Sequence, residues 1–235
     1  PIWVRGDYRS KGDLVGADVP TSCLPRARYG GSTNRLDLAR WLVDPVNPLT
    51  ARVAVNRFWG LFFPNPLVKT ANEFGTNVEP PSHPELLDWL ARRFIDDRWD
   101  VKVFLKRIAM SATYRQSSHV DTARLARDPE NRLLWHQPYR RLEVEALRDS
   151  MLAVSGELNL QAGGRGVFLP IPKAAMEANT DKESIWTVSS PDQAARRTVY
   201  AFVKRGLVVP MLEVLDLCDT VSSSARRQVT TVAPQ

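Results

Sequence analysis

Four charged residues of one predicted helix form the densest set of side chains that could do chemistry. At spacings i, i+4, i+7 and i+8 these are Arg141, Glu145, Arg148 and Asp149. The spacing places them on one narrow helix face, where arginines can hold a carboxylate or another anionic group. The alternative is a solvated ladder of surface ion pairs, each contributing roughly 0.3–0.5 kcal/mol. Leu152 on the same strip indicates that other chain covers part of this face.

A covered face of this kind is either a structural clasp or the wall of a ligand pocket. The substitution Arg148→Ala separates the two interpretations, because a clasp loses stability whereas a pocket loses binding. Asn56 and Arg57, on an earlier predicted helix, offer a second polar edge that could match the face. We therefore take these six residues as the candidate binding residues, with no catalytic residue assigned.

Other chemical motifs are absent from the sequence. The three histidines, His83, His119 and His136, are far apart and form no His-x-x-x-His pair. The two cysteines, Cys23 and Cys218, form no metal or redox motif, and the sequence leaves open whether they pair. The chain also lacks a Gly-x-Ser-x-Gly elbow and a haem-attachment motif. We expect no metal and no cofactor in this segment.

The composition is that of a globular protein with a mildly basic surface. The chain has 235 residues, 43% of them hydrophobic, and a formal net charge of +6. Its 32 Lys and Arg residues are interleaved with 26 Asp and Glu residues, which favours a solvated surface over a nucleic-acid site. No apolar run reaches the roughly 18 residues that a membrane span requires.

The helices that must position these residues show clear periodicity. Three consecutive amphipathic helices are predicted between Asn47 and Gln116. Their apolar faces predict a shared core of Phe58, Leu90, Phe94, Phe104, Leu105 and Ile108. A further helix at 141–154 should face inward through Val144, Leu147, Met151 and Val154. Residues 197–204 alternate and are rich in β-branched and aromatic residues, which predicts a strand.

These elements predict a mainly α protein, a multi-helix orthogonal or bundle-like domain with a small β element. Residues 1–33 should be an irregular lead-in with a possible short strand. Residues 34–156 should form the helical core, and residues 157–235 a loop-rich segment that contains the strand. Trp135 and Trp186 fall in loop-rich stretches, where they are either core residues or exposed rings.

Several long motifs resemble one known family. They are LTARVAVNRFWGLFF, LVKT, SATYRQSS, RRLEVEALRDSMLAVSGEL and ARRQVTTVAPQ, and they resemble domain of unknown function 1553 from about residue 3 to residue 235. Pro64-Asn65-Pro66 departs from the family, which tends to have a glycine-rich turn there. In the family, the chain continues past the final segment TTVAPQ into a further helix. We therefore expect this segment to be truncated at Gln235. The family defines no catalytic residues that could be carried over.

The resemblance implies the C-terminal module of large, planctomycete-type, exported proteins that often carry a cytochrome-c-like domain. Our leading hypothesis is a non-catalytic accessory or interaction domain in the periplasm or cell envelope. Its partners would be other domains of the same chain, or a protein or carbohydrate. The alternative is a hydrolase acting on carbohydrate or another envelope substrate, which a cleft with two carboxylates about 5–10 Å apart would favour. A second alternative is nucleic-acid binding, which the net charge alone suggests.

Overall fold

The computed structural model describes residues 2–19, 34–75, 78–177, 186–224 and 227. Within these ranges the chain is mainly helical and its β structure is limited to isolated bridges, which confirms the predicted fold class. The helices in these ranges are α1 (Arg35–Leu42), α2 (Thr50–Trp59), α3 (Pro84–Asp96), α4 (Val101–Ala109), α5 (Thr122–Arg127), α6 (Val144–Ser155), α7 (Lys173–Glu177), α8 (Pro191–Ala194) and α9 (Pro210–Val214). Within the same ranges, 3₁₀ turns lie at Val4–Gly6 and Thr198–Tyr200. The predictions for Cys23 and for the end of the chain after residue 227 lie outside the described residues.

The chain divides into two compact units, Pro1–Pro138 and Tyr139–Gln235. This division differs from the sequence-based one, which ended the helical core at residue 156. The difference arises because α6 packs on the 3₁₀ turn at Thr198–Tyr200 and so belongs with the second unit. None of the helices within the described ranges has the length and apolar character needed to cross a membrane.

The core of the first unit is built by α2, α3 and α4. Of the six residues predicted to share it, Leu90, Phe94, Phe104 and Ile108 are buried. The other two, Phe58 and Leu105, are half-buried and pack against the same cluster. The rings of Phe94 and Phe104 meet edge to face, with their centroids 5.3 Å apart. The helical periodicity of the sequence therefore identified this core correctly.

Local side-chain caps fix where these helices begin. The Asn47 Oδ1 atom accepts the backbone N–H groups of Leu49 at 3.0 Å and Thr50 at 3.2 Å. Its Nδ2 atom donates to the Trp41 carbonyl at 3.1 Å, which ties the start of α2 to the end of α1. Asp100 caps α4 in a similar way, by accepting the N–H of Val103 at 3.0 Å. These caps satisfy N–H groups that a helix cannot pair internally.

The second unit has its own smaller core. Its buried cluster consists of Val144, Val167, Leu169, Ile171, Trp186, Val209 and Leu212. Trp186 is thus a core residue, and its Nε1 atom donates to the Leu169 carbonyl at 2.8 Å. Trp135, in the first unit, is half-buried and its Nε1 atom donates to the Asp128 carbonyl at 3.2 Å. Each of the two loop tryptophans therefore has a structural hydrogen bond.

The strand predicted at 197–204 is not formed. The segment instead contains the 3₁₀ turn Thr198–Tyr200, followed by an isolated parallel bridge between Ala201 and Val167. The Val167 N–H donates to the Tyr200 carbonyl and the Phe202 N–H donates to the Val167 carbonyl, both at 2.8 Å. The prediction was wrong because alternation gives a strand only where a neighbouring strand continues the ladder, and here α6 holds Thr198 in a turn.

Candidate functional site

The charged face of α6 is turned toward the interior of its unit. Arg148 is only 7% exposed, whereas Val154, which the sequence predicted to face inward, is 91% exposed. Met151 is also exposed, so of the predicted apolar stripe Val144 alone is fully buried. The prediction of the inward face was therefore wrong. The helix turns its guanidinium inward because the carbonyls of Ala194 and Arg196 and the hydroxyl of Thr198 are available to receive it.

The guanidinium of Arg148 is bonded to atoms of its own unit. Its Nη1 atom donates to the Arg196 carbonyl and to the Thr198 hydroxyl, both at 3.1 Å. Its Nη2 atom donates to the carbonyl of Ala194, the last residue of α8, at 2.6 Å. Burial lowers the pKa of Arg148, against the opposing effect of the neighbouring Asp149 charge. An arginine nevertheless stays charged in proteins, so it acts here as a cap for unpaired carbonyls.

Asp149, the next residue of α6, binds Thr198 as Arg148 does. Its Oδ1 atom accepts the backbone N–H and the hydroxyl of Thr198, both at 2.7 Å. Its Oδ2 atom accepts from Arg197 Nε at 3.3 Å. Burial acts to raise the pKa of Asp149, but the Thr198 and Arg197 bonds outweigh it and hold the pKa below its ordinary value. Asp149 and Arg148 therefore hold Thr198 from two sides.

The carboxylate of Glu145 lies one turn before these residues and has a different partner. Arg227 donates to both of its oxygens, at 2.5 Å and 2.7 Å, and to Glu143 at 2.9 Å. Burial is the largest effect and acts to raise the pKa of Glu145, but the hydrogen bond and charge of Arg227 and a backbone hydrogen bond together lower it. Arg141 is exposed and precedes α6, which begins at Val144, so it does not lie on the helix face.

A second buried arginine, Arg196, also donates to backbone carbonyls, and the sequence prediction missed it. Arg196 is 3% exposed and donates to the carbonyls of Gln161 at 3.2 Å, Arg165 at 3.3 Å and Gly163. Its guanidinium carbon lies 4.1 Å from the centre of the Tyr200 ring. No spacing signal marks Arg196, because its partners lie 31 to 35 residues earlier in the chain.

The two candidate residues of α2 lie in the first unit and have separate roles. Asn56 is 1% exposed, and its side-chain amide pairs with both backbone groups of Val68. It donates to the Val68 carbonyl at 3.0 Å and accepts the Val68 N–H at 2.9 Å. Arg57 is exposed and donates to the Asn72 side chain at 3.3 Å. Asn56 therefore holds the loop that follows α2, since both ends of its amide are bonded to that loop.

A small pocket in the first unit is a site that the sequence prediction missed. It has a volume of about 20 Å³, room for little more than one water-sized group. Its buried wall includes Trp59 and Leu67, and Leu134 adds a half-buried apolar surface. Its exposed wall carries the charged residues Lys69, Glu79, Glu130 and Arg132. No sequence motif marks it, because three distant segments contribute its walls.

Ion pairs join these charged residues across the three segments. Lys69 Nζ lies 3.0 Å from one oxygen of Glu79, and Arg132 Nη2 lies 2.8 Å from the other. Lys69 Nζ also lies 3.6 Å from Glu130. The hydrogen bond from Lys69, with added charge from Arg132, lowers the pKa of Glu79. Glu79 is therefore an ionised carboxylate at neutral pH, held between two cations.

The described residues contain no group of three or more His, Cys, Asp or Glu side chains placed to hold a metal ion.

Comparison with known proteins gives a family match. A family model described as "PSD1: Protein of unknown function (DUF1553)" matches residues 34–235. No curated protein and no solved structure matches the chain.

Proposed function

The chain belongs to the DUF1553 family of proteins of unknown function, and from this premise we propose that it is a non-catalytic accessory or interaction module. The module would serve an exported multidomain protein and would contact its other domains, or a protein or carbohydrate of the cell envelope. It would carry no metal or cofactor of its own. A cytochrome-c-like domain elsewhere in the same polypeptide would supply any redox chemistry.

One observation carries this proposal: Glu145, Arg148 and Asp149, the charged side chains of α6, are bonded to groups of their own unit. The pKa is lowered at seven carboxyl groups of the described residues, namely Glu79, Asp88, Asp97, Asp121, Glu145, Asp149 and Asp219. A general acid that works near neutral pH needs a raised pKa, because it must hold a proton until the transition state. The two carboxylates of α6, Glu145 and Asp149, have lowered pKa values and are bonded to Arg227 and Thr198, so neither is held protonated as a general acid.

The hydrogen bonds of the buried arginines also favour a structural role over a catalytic one. The donors of Arg148 and Arg196 are bonded to carbonyl and hydroxyl groups of their own unit. An arginine that held a substrate anion would instead direct paired donors toward an open cleft. The α6 face thus supports the clasp interpretation. The hydrolase alternative gains no support from the pocket, since Glu79 is paired with two cations and has a lowered pKa.

The experiment is cross-linking mass spectrometry on the full natural protein, purified from the cells that produce it. We expect cross-links from exposed lysines such as Lys69, Lys102 and Lys106 to other domains of the same polypeptide or to an envelope component. Fractionation of the same cells should place the protein outside the cytoplasm. Release of sugar from an envelope glycan by the purified chain, lost on Glu79→Gln, would contradict the proposal.

A further inference from the structure

The pocket of the first unit has walls that the fold fixes in place. Asn56 holds Val68, and the Ser82 N–H donates to the Leu67 carbonyl at 2.8 Å, which joins two of the three segments. The third segment is held by Gln116, whose Nε2 atom donates to the Leu134 carbonyl at 2.6 Å. Such anchoring is typical of ligand sites, which are largely pre-formed.

Leu134 adds a second sign of a built site. Its φ of 55° lies in the left-handed region, which a leucine adopts at a cost of roughly 1–2 kcal/mol. Asn131, with a φ of 52°, supports this conformation by accepting the Trp135 N–H at 2.9 Å and donating to the His136 carbonyl at 2.8 Å. The fold therefore holds the Leu134 side chain in the pocket wall in spite of backbone strain.

The mouth of the pocket carries two cations that bracket one carboxylate. We define the cation pair as Lys69 and Arg132, which lie 3.0 Å and 2.8 Å from different oxygens of Glu79. This is the arrangement in which a protein binds the carboxylate of a ligand, with one charged donor for each oxygen. Glu79 is the intramolecular occupant, and Glu130, 3.6 Å from Lys69, remains as a second partner when Glu79 moves away.

We infer that this pocket is a binding site for a carboxylate that carries a methyl-sized apolar group. The carboxylate takes the place of Glu79 between the cation pair. The small apolar group enters the pocket of about 20 Å³ between Trp59, Leu67 and Leu134. A peptide that ends in a small residue and a free short hydroxy acid share this chemistry. The inference rests on the proposed function in one respect, because it treats the chain as a binding module.

In this site Glu79 competes with an external carboxylate for the cation pair, and this competition can be measured. An intramolecular carboxylate that fills the site lowers the apparent affinity for an external one, in proportion to the fraction of time it occupies the site. Glu79→Gln keeps the shape of the side chain and removes its charge. The substitution should therefore tighten binding of an external carboxylate by about tenfold, although it removes two ion pairs from the wild-type protein.

The experiment is an amide NMR titration of the whole chain with N-acetyl-alanine. We expect shift changes at residues of the three pocket segments, with a dissociation constant about tenfold lower for Glu79→Gln than for the wild type. Adding Arg132→Met to Glu79→Gln should weaken binding at least about tenfold. The matched control is Asp88→Asn, which breaks a comparable ion pair with Arg52 away from the pocket and should leave binding unchanged.

Three further probes test the chemistry of the ligand. N-acetyl-alanine amide lacks the carboxylate and should cause no shift changes, and N-acetyl-phenylalanine should bind at least about tenfold more weakly because its ring exceeds the pocket. Lactate tests the hydroxy-acid source, and the ratio of its dissociation constant to that of N-acetyl-alanine shows which source fits better. Equal binding of acid and amide, or no gain on Glu79→Gln, would overturn the inference.

The same titration keeps the two proposals separate. Chemical conversion of N-acetyl-alanine during the titration would contradict the non-catalytic function and leave the site standing. Absence of any shift change, in the wild type and in a folded Glu79→Gln variant alike, would remove the site and leave the function standing. A melting curve for each variant confirms that it is folded, and we expect little change because these ion pairs are exposed.

Discussion

At the scale of single residues, two buried arginines organise the second unit by the same chemistry. Arg148 and Arg196 each donate to backbone carbonyls that no helix or sheet pairs internally. A buried carbonyl without a partner costs about 1–3 kcal/mol, and a guanidinium can satisfy several at once. Two of the four residues predicted from spacing, Arg148 and Asp149, therefore bind backbone groups, which corresponds to the clasp that the sequence analysis gave as one of two interpretations.

The first prediction concerns Arg148→Ala. The variant leaves the Ala194 and Arg196 carbonyls without their charged donor, and we expect it to lose about 3 kcal/mol of unfolding free energy in chemical denaturation. Arg205→Ala, at an exposed position of the same unit, is the control and should change stability by less than about 0.5 kcal/mol. Wild-type stability of Arg148→Ala would exclude the clasp.

A second prediction concerns the pH dependence at Asp149. Its pKa in the folded chain lies below the ordinary value of 3.8, so its stabilisation is present above that value and is lost as the pH falls through the folded-state pKa. The stability difference between the wild type and Asp149→Asn should therefore be largest near neutral pH. Urea unfolding from about pH 7 down to about pH 3 measures it. A difference that stays constant across this range would argue against an ionised Asp149.

At the scale of elements, the buried faces of helices that pack against other amphipathic helices could be predicted from the sequence. The apolar faces of α3 and α4 carry a strong 3.6-residue pattern, and their central residues are buried as predicted, although Val101 at the start of α4 is exposed. The inward face of α6 was not predictable in this way, because the acceptors of Arg148 lie 46 to 50 residues later. The strand expected at 197–204 failed for a related reason, since alternation does not show whether a second strand is present. The pocket could not be predicted either, because its walls come from three segments.

The third prediction tests the packing of α4 against its neighbours. Phe104 is fully buried and its ring meets Phe58 and Phe94, so Phe104→Ala should cost about 3–5 kcal/mol of unfolding free energy. Leu90→Ala in the facing helix should cost about 2–5 kcal/mol. Val103→Ala removes an exposed side chain next to Phe104 and serves as the control, with a change below about 1 kcal/mol. Similar melting of all three variants would mean that the helix faces are wrongly assigned.

At the scale of the whole molecule, the described part of the chain has two buried cores, which are stabilised in different ways. The first unit relies on interlocking aromatic and aliphatic side chains of α2, α3 and α4. The second unit contains short helices and loops, and its smaller apolar cluster is supplemented by the polar bonds of Arg148, Asp149 and Arg196. Composition alone predicted a globular chain with enough apolar residues, but it did not reveal this difference.

The fourth prediction follows from the two separate cores. Amide hydrogen exchange should show that Phe104→Ala increases exchange mainly in α2, α3 and α4, because their shared cluster loses its central ring. Arg148→Ala should increase exchange mainly in α6 and at residues 194–200, where its bonds are lost. A uniform rise in exchange along the whole chain in either variant would show that the two units unfold together.

The long reach of Arg148 also sets an order of events during synthesis of the chain. The buried cluster of the first unit is complete once Ile108 has left the ribosome, whereas Arg148 meets its last acceptor only with Thr198. Ribosomes add about 5–20 residues per second, so α6 waits roughly 2–10 s for the segment that receives its guanidinium. During that interval the guanidinium of Arg148 lacks the acceptors that it has in the folded unit. Slower translation after α6 would lengthen the exposure of this helix without affecting the first unit.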